Sequence, residues 1–515
     1  MSVLLAITLA FIVSIGAFLS ILGKCGAVKI LIIININAKM NITIKKAIII
    51  ILSILFLLYY KYNIKIGIIY INFILLELKN NIGYNQYYGC GYMEEYRKRI
   101  IDDILVIRSR GKGAVLVEGI RESGKTTTCK RICNSYLYME GRKESLNNVA
   151  LADIEPSILL KGEVPRLIDE WQEAPKLWDA IRFEVDHRNA EGQFILTGSA
   201  VPVDTKEIVH SGTGRFSFLT MRPMTLYESG ESNGAVSLKE VFTNNSVSGV
   251  NELSLSEISY LCCRGGWPRS LYMDRDVSLN QAYDYIDGVV KSDISRASGV
   301  QRNADRTRRI LRSYARNIGT QASYETIRRD VIGSDIETLD EDTVYSYIND
   351  LKKIFVIEDV SSWNPNLRSK SAIRTSDTRY FVDPSIVTTS LGLGPDDLLN
   401  DLNTFGFVFE NLCIRDLRVY AESINGEIYH YRDATDLECD CVVHLRNGSY
   451  GLIEIKLGGD KLIEEGASNL LKLKDKIDTD RMNNPSFLMI VTAIGSYAFR
   501  RPDGVLVVPI GCLKN

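Results

Sequence analysis

The 515-residue sequence predicts an α/β fold built around a buried parallel sheet. Three short apolar segments predict its strands, at Gly113–Gly119, Val164–Asp169 and Gly192–Thr197, and each ends in glycine, hydroxyl or carboxylate residues. Buried parallel strands are almost continuously apolar, and ligands bind beyond their carboxyl ends. The polar residues that end these strands are therefore expected to meet in one site.

The first strand runs into a loop bounded by glycines. Residues Gly119–Thr126 match the pattern G-x4-G-K-[ST], and a helix is predicted over Thr126–Leu137. Strand, glycine loop and helix in this order are the context of a phosphate-binding P-loop, in which backbone N–H groups converge on phosphate oxygens. The predicted nucleotide-binding residues are Gly119, Ser123, Gly124, Lys125, Thr126 and Thr127. ATP is the expected ligand, with Lys125 reaching its β- and γ-phosphates.

Two carboxylates end the second strand. Asp169 is predicted to bind Mg²⁺ together with the hydroxyl of Thr126, and Glu170 is predicted to polarise the attacking water. Without a P-loop, an Asp–Glu pair opening a solvated helix would be the simpler interpretation. The third strand ends in Thr197 and Ser199, either of which could sense the γ-phosphate, although Thr-Gly-Ser is also common in turns.

The segment His210–Arg215 carries an arginine behind two glycines. A guanidinium is suited to stabilise charge during phosphoryl transfer, so Arg215 is a predicted catalytic residue. It could act within its own subunit or across an interface in a homo-oligomer. A hairpin turn with an exposed arginine is the alternative, and the sequence favours neither.

Composition narrows the possible classes of protein. The formal net charge of −2 argues neither for nor against a nucleic-acid partner. The ten cysteines contain no CxxC pair, which argues against a zinc site, and free thiols in a reducing cytoplasm are expected. The four histidines lie far apart in sequence, which disfavours a histidine-rich metal site and a Ser–His–Asp triad.

Residues 1–92 differ in composition from the rest of the chain. Val3–Leu22 is an apolar run about long enough to span a bilayer, and lysines but no acids follow it until Glu77. If residues 1–78 belong to the native protein, they predict a membrane anchor with the ATPase facing the cytoplasm. The alternative is a translated AT-rich stretch upstream of a true start at Met93.

Seven short segments carry a family resemblance: Leu167–Pro175, Ile195–Ala200, His210–Arg215, Met221–Gly230, Gly265–Pro268, Asp383–Ser385 and Ile453–Lys456. In sequence and order they resemble a family of prokaryotic predicted ATPases of the AAA+ superfamily. The resemblance runs from about Met93 to the C-terminus, and the stretch Tyr136–Lys161 is short for the family. It implies an AAA+-like ATPase domain over 93–250, a helical lid or linker over 251–300, and a C-terminal restriction-endonuclease-like domain.

Residues 301–392 are predicted to form a winged-helix module. Three helices are expected at Ala304–Asn317, Tyr324–Val331 and Leu339–Ile354, with strands at Phe355–Val360 and Arg379–Val382. Basic residues that suit DNA phosphates are Arg306, Arg308, Arg309, Arg312, Arg316, Arg368, Lys370 and Arg374. Acidic residues on the third helix oppose major-groove binding, so a protein-interaction module is the alternative.

Residues 393–515 are predicted to bring three acids and a lysine together. Asp440 lies on one strand of an expected hairpin, and Glu454 and Lys456 lie on the next, where alternate residues share a face. Glu410 would join them from a preceding helix. Carboxylates can bind Mg²⁺ and a lysine can orient water, and restriction-like nucleases use this D…E-x-K arrangement. The resemblance therefore implies a PD-(D/E)xK-like domain.

The sequence thus predicts a cytoplasmic ATPase coupled to a DNA-directed winged helix and a nuclease-like domain. One alternative is a nucleotide-gated protein-interaction module with a degenerate nuclease fold. The other is a membrane-anchored ATPase.

Overall fold

The computed structural model describes residues 96–515 except 142, 203–209, 245–246, 334–338 and 367–372. The predictions for residues 1–92, Arg368 and Lys370 fall outside the described residues. Within the described part of the chain, no helix has both the length and the apolar character needed to cross a membrane. Residues 96–515 form one compact unit.

The predicted parallel sheet is present and has five strands. They are β1 (Ala114–Glu118), β2 (Ser135–Tyr138), β3 (Arg166–Asp169), β4 (Phe194–Gly198) and β5 (Phe216–Thr220). Their spatial order is β2-β3-β4-β1-β5, and every neighbouring pair is parallel. All of β4 and all of β1 but its last residue are buried, which explains why these strands show no polar alternation.

Helices cover both faces of this sheet. They are α1 (Ile100–Ser109), α2 (Lys125–Lys130), α3 (Lys143–Ile154), α4 (Pro156–Leu159) and α5 (Leu177–Arg188). The helix predicted over Thr126–Leu137 is wrong in its second half, because α2 ends at Lys130 and Ser135–Tyr138 is strand β2. Tyr136 and Tyr138 favour an extended chain, and pairing with β3 stabilises it.

A helical middle region follows the first sheet. It contains α6 (Leu226–Ser229), strand β6 (Val236–Ser237), α7 (Leu238–Val241), strand β7 (Gly249–Val250), α8 (Leu255–Arg264), α9 (Arg275–Gly288) and α10 (Ile294–Ser298). Between α9 and α10, residues Val289–Asp293 form a π-helical turn. Such turns are rare, and they occur often near functional sites.

The three helices predicted after residue 300 are confirmed as α11 (Ala304–Arg316), α12 (Tyr324–Ile332) and α13 (Glu341–Lys353). The strands predicted at Phe355–Val360 and Arg379–Val382 are not regular strands. Only isolated antiparallel bridges join them, between Ile357 and Phe381 and between Val360 and Thr378. Phe355 adopts a left-handed backbone conformation, with φ of 60°, which interrupts the extended chain at its start.

The C-terminal part combines three further helices, α14 (Pro384–Leu391), α15 (Pro395–Asn400) and α16 (Leu402–Ser423), with a second sheet and α17 (Asp460–Lys476). The remaining strands are β8 (Gly426–Arg432), β9 (Glu438–Leu445), β10 (Tyr450–Lys456), β11 (Phe487–Thr492), β12 (Tyr497–Arg500), β13 (Leu506–Pro509) and β14 (Leu513–Lys514). The predicted hairpin of β9 and β10 is confirmed, with antiparallel pairing.

Two short strands of the helical middle region pair with strands near the C-terminus. The second sheet has the order β7-β12-β13-β11-β10-β9-β8, so β7 becomes its edge strand. Likewise β14 pairs in parallel with β6. Strands β6 and β7, which the sequence assigns to the ATPase region, therefore pair with strands of the C-terminal region.

Candidate nucleotide-binding site

The loop after β1 has the conformation that its glycines permit. Gly119 has φ of 144°, and a Cβ atom there would lie 2.2 Å from the carbonyl oxygen of Met221. Gly124, at the start of α2, has φ of 97°. Side chains other than hydrogen are disfavoured at both positions, so the two glycines of the motif are required by the fold itself.

Lys125 lies inside this loop. Its Nζ donates hydrogen bonds to the carbonyl oxygens of Gly119 and Ile120, both at 2.8 Å. Burial lowers the pKa of Lys125 to about 8, because desolvation disfavours the ammonium form. The lysine is thus held by neutral carbonyl groups, and an anionic ligand would restore the preference for the charged form. Of the other predicted loop residues, Ser123 is fully buried and bonds Ile120, whereas the side chain of Thr127 is exposed.

Asp169, the last residue of β3, joins two predicted partners. Its Oδ1 accepts hydrogen bonds from the hydroxyls of Thr126, at 2.7 Å, and Thr197, at 2.6 Å. Because β4 lies between β1 and β3, the hydroxyl at the end of β4 meets the carboxylate directly. Mg²⁺ prefers hard oxygen ligands and usually binds one or two carboxylates with substrate phosphates, so Thr126 and Asp169 fit this ion.

Glu170 follows Asp169 with a left-handed backbone, at φ of 58° and ψ of 52°. Its N–H donates to the Thr197 hydroxyl at 3.2 Å. Its carboxylate accepts hydrogen bonds from Ser199 Oγ, at 2.8 Å, and from Gln172 Nε2. Four of the predicted residues, Thr126, Asp169, Glu170 and Thr197, are therefore brought together beside the loop.

Arg99 stabilises the phosphate loop through hydrogen bonds to backbone carbonyls, and the sequence patterns did not predict this role. Its guanidinium donates to the carbonyl oxygens of Ser123, at 2.9 Å, and Arg222, at 2.8 Å. It also forms an ion pair of 3.0 Å with Glu228, and both side chains are almost completely buried. Arg99 precedes α1 and lies outside the motif, so no local signal links it to the phosphate loop.

Arg121, the third residue of the loop, was also missed. Its Nε lies 3.3 Å from Ser199 Oγ, and its terminal nitrogens lie 3.5 Å from Glu140 and from Asp293. Ser199 in turn contacts Glu170. The sequence did contain a signal for Arg121, because an arginine within a phosphate-binding motif places a positive charge beside the bound phosphates.

The predicted catalytic residue Arg215 lies away from the phosphate loop of its own chain. Arg215 precedes β5, and its carbonyl oxygen accepts from the N–H of Ala114, the first residue of β1. It therefore lies at the amino edge of the sheet, whereas the phosphate loop leaves the carboxyl edge. Its guanidinium is partly exposed and pairs with Asp186 at 2.9 Å. A role across a subunit interface stays a prediction.

The C-terminal acids and lysine also come together. Lys456 Nζ lies 2.6 Å from Glu454 Oε2 and 3.2 Å from Asp440 Oδ2. Asp440 additionally accepts the N–H of Ile455 at 2.7 Å. Glu410, on α16, accepts the hydroxyl of Tyr380. All four predicted residues thus form one cluster, in which Glu454 is completely buried.

Burial and the neighbouring carboxylates determine the electrostatics of this cluster. Burial, aided by Asp440, raises the pKa of Glu410 to about 8, and the same causes raise the pKa of Glu454 well above its usual value. Burial opposes the charge on Lys456, but Asp440 and Glu454 outweigh it and raise its pKa. Within the described ranges, no group of three or more acidic, histidine or cysteine side chains is arranged to hold a metal ion. The cluster as arranged does not fit a metal.

The loop, the strand order and the carboxylates beside the loop are those of a P-loop NTPase domain. A comparison with family models agrees: residues 111–229 match the model described as an AAA domain. Residues 255–397 match a domain of unknown function, DUF8612, and residues 405–513 match another, DUF4143. The loop after β1 and the ends of β3 and β4 thus lie within the region that matches an AAA domain.

Similar proteins cover more of the chain. The uncharacterized protein Rv2008c of Mycobacterium tuberculosis is 24% identical over 346 residues, which are 66% of this chain and 70% of that protein. The uncharacterized protein Mb2031c of Mycobacterium bovis matches to the same extent. Among solved structures, the Walker-type ATPase paby2304 of Pyrococcus abyssi covers 58% of this chain and 97% of its own, with 16% identity and a TM-score of 0.37.

Proposed function

We propose that this chain binds and hydrolyses ATP with Mg²⁺ at the site formed by the loop after β1 and the ends of β3 and β4. The observation that carries the proposal is the contact of Asp169 Oδ1 with the hydroxyls of both Thr126 and Thr197. This contact links the start of α2 to the carboxyl ends of β3 and β4. In P-loop ATPases, this is the position of the residues that handle Mg²⁺ and the terminal phosphate.

Each residue has a separate role in this proposal. Lys125 exchanges the carbonyl oxygens of Gly119 and Ile120 for phosphate oxygens, and Thr126 and Asp169 hold Mg²⁺, which neutralises phosphate charge when bound. Glu170 accepts the proton of the attacking water, and its contacts with Ser199 and Gln172 orient the carboxylate. Thr197 fixes the backbone of Glu170 through its hydroxyl.

The test is phosphate release from Mg·ATP by the full chain and by Asp169→Asn. We expect the variant to lose hydrolysis about 100-fold, since a metal-binding charge is removed. Asp186→Asn is the matched control, because Asp186 pairs with Arg215 and lies at the opposite edge of the sheet. Equal phosphate release from both variants and the wild type would contradict the proposal.

We further propose that residues 301–392 are a winged-helix module that contacts nucleic-acid phosphates. The supporting observation is a row of exposed arginines on one face of α11, Arg308, Arg312 and Arg316. Arg308 and Arg316 also form ion pairs of 2.7 Å with Asp287 and Asp330. The exposed acids Glu341 and Asp342 at the start of α13 disfavour insertion of that helix into a groove. Phosphate contact without base readout is the expected mode.

Salt dependence tests this second proposal. Binding of a fluorescent DNA duplex should weaken steeply with salt, and Arg312→Ala should reduce the slope by about 1, because one phosphate contact is lost. Arg188→Ala on α5, which changes the same charge elsewhere, should leave the slope unchanged. A flat salt dependence would instead favour a protein-interaction module.

For the C-terminal domain, we propose a nuclease-like fold that does not cleave DNA. The supporting observation is that Lys456 occupies the position between Asp440 and Glu454, where both carboxylates contact its ammonium. Plasmid DNA incubated with the full chain and Mg²⁺ or Mn²⁺ should stay intact. Cleavage that disappears in Asp440→Ala would overturn the proposal.

A further inference from the structure

Arg121 is a charged residue of the phosphate loop that has no role in the proposed function. It lies between Gly119 and Gly124, and its side chain is about one-third exposed (35%). The guanidinium contacts Ser199, which donates to the carboxylate of Glu170. Arg121 is therefore one side chain away from the group expected to activate water.

The carboxylates around Arg121 hold it weakly. Glu140 and Asp293 both lie 3.5 Å from its terminal nitrogens. Strong charge-assisted bonds of this type measure about 2.7–2.9 Å, as does the pair of Arg222 and Glu358 at 2.7 Å elsewhere in this chain. The N–H groups of Arg121 thus make only long contacts with these two carboxylates. Phosphate oxygens match the planar guanidinium and are expected to accept shorter, stronger hydrogen bonds from it.

One partner of Arg121 belongs to a different part of the chain. Asp293 ends the π-helical turn Val289–Asp293, which leads into α10. Arg296 on α10 reaches back to Glu140, at 3.3 Å, and to Glu173, at 3.2 Å. Two arginines and three carboxylates therefore join the ATPase domain to the segment 289–298.

A cavity of about 340 Å³ lies at this junction. Its lining includes Arg121, Ser199, Tyr285, Asp293 and Arg296. Cavities that bind small ligands measure about 300–1,000 Å³, so this one has room for a phosphate group with its waters. Its lining also includes Gln172, whose side chain contacts Glu170.

We propose that Arg121 recognises the terminal phosphate of ATP, and that its exchange of Asp293 and Glu140 for phosphate oxygens links nucleotide state to the segment 289–298. The inference rests on the proposed function, because it assumes that ATP occupies the loop after β1. With ADP, Arg121 keeps its carboxylate partners. With a triphosphate it leaves them, and Asp293 loses its contact with the loop.

The first measurement compares two affinities of the full chain. One is for Mg·ADP, and the other is for the Mg²⁺ complex of the non-hydrolysable analogue adenylyl-imidodiphosphate. Arg121→Ala should weaken analogue binding about 10- to 100-fold and ADP binding less than about 2-fold, since one bidentate charge-assisted contact is lost. Arg121→Lys should give an intermediate loss, because it keeps the charge and lacks the fork. Arg188→Ala on α5, whose guanidinium is similarly exposed and pairs with Glu184, is the matched control and should change neither affinity.

The second measurement is hydrogen–deuterium exchange of residues 289–298. Wild type should exchange faster there with the analogue than with ADP, and Arg121→Ala should show no difference between the two nucleotides. An unchanged affinity ratio in Arg121→Ala overturns the inference while the proposed function survives. If wild type binds neither nucleotide, the proposed function itself fails. An altered ratio with unaltered exchange overturns the link to the segment 289–298.

Discussion

The phosphate loop and the second sheet each contain a buried lysine, and the two lysines differ in their partners. Lys125 of the phosphate loop bonds only backbone carbonyls at 2.8 Å, and burial lowers its pKa to about 8. Lys456 of the second sheet lies within 3.2 Å of two carboxylates, which raise its pKa. The first ammonium lacks a full counter-charge, and the second already has one.

This difference separates a binding site from a structural cluster. A lysine that is desolvated without an anionic partner gains from an anionic ligand, because the ligand supplies the missing counter-charge. A lysine paired with two acids would have to give up its partners first. Residue types are shared between the clusters, so the distinction lies in the partners and their distances.

The largest expected effect follows from removing the first lysine. Lys125→Ala should lower ATP hydrolysis about 1,000-fold, since the contact with the transferred phosphate is lost. The free energy of unfolding should fall less than it does for Lys456→Met, because two backbone carbonyls, and no ion-paired carboxylate, lose their hydrogen-bond partner. Phosphate release and urea unfolding of the same preparation measure both quantities, with the exposed Lys461→Ala as control. Strong destabilisation by Lys125→Ala would erase the contrast between the two lysines.

Removing the second lysine should have the converse result. Lys456→Met leaves Asp440 and the fully buried Glu454 without their cation, which costs about 3 kcal/mol of unfolding free energy. Urea unfolding at neutral pH measures this loss, again beside Lys461→Ala. Hydrolysis of ATP by the folded fraction should stay unchanged. A variant as stable as wild type would show that the pairing with Lys456 is not what maintains the cluster.

The phosphate site could be predicted because its parts are local. Strand, loop and the start of the helix occupy one continuous stretch, and Gly119 and Gly124 are demanded by backbone geometry. The partners of Arg121 could not be predicted this way, since Glu140 and Asp293 lie 19 and 172 residues away. Periodicity describes which face of an element is buried, and it contains no information on ion pairs between distant elements.

The same limit explains the errors in the fold. Arg215 follows two glycines, as an arginine aimed at a ligand would, but only the direction of β5 shows that it begins at the far edge of the sheet. Strands β6 and β7 have two residues each and exist through pairing with β14 and β12. Their partners come from the C-terminal end of the chain, so their own sequences carry almost no strand signal.

A smaller effect is expected at Glu170, the proposed general base. Glu170→Gln should lower the turnover number for ATP about 100-fold, because the carboxylate that accepts the proton of water is neutralised. The affinity for ADP should change less than about 2-fold, since phosphate binding does not require this proton transfer. Single-turnover hydrolysis and equilibrium titration separate the two quantities. Glu191→Gln, at an exposed position, is the control.

The smallest effect concerns pH and the second cluster. The pKa of Glu410 is about 8 in the folded protein, because of burial and Asp440, and near its ordinary value of 4.5 in the unfolded chain. Between these values the folded state binds the proton more tightly, so this group's contribution to the free energy of unfolding falls as pH rises. Glu410→Gln cannot ionise, yet its side-chain oxygen can still accept the Tyr380 hydroxyl.

The stability advantage of wild type over Glu410→Gln should therefore shrink by about 1–2 kcal/mol from about pH 5 to pH 8. Urea unfolding of both proteins across this range measures the difference, and Glu465→Gln, which is exposed on α17, should run parallel to wild type. A constant difference would mean that Glu410 is ionised throughout the range. An ionised Glu410 would give the cluster another anionic metal ligand, and cleavage of DNA would then become the better proposal for the C-terminal domain.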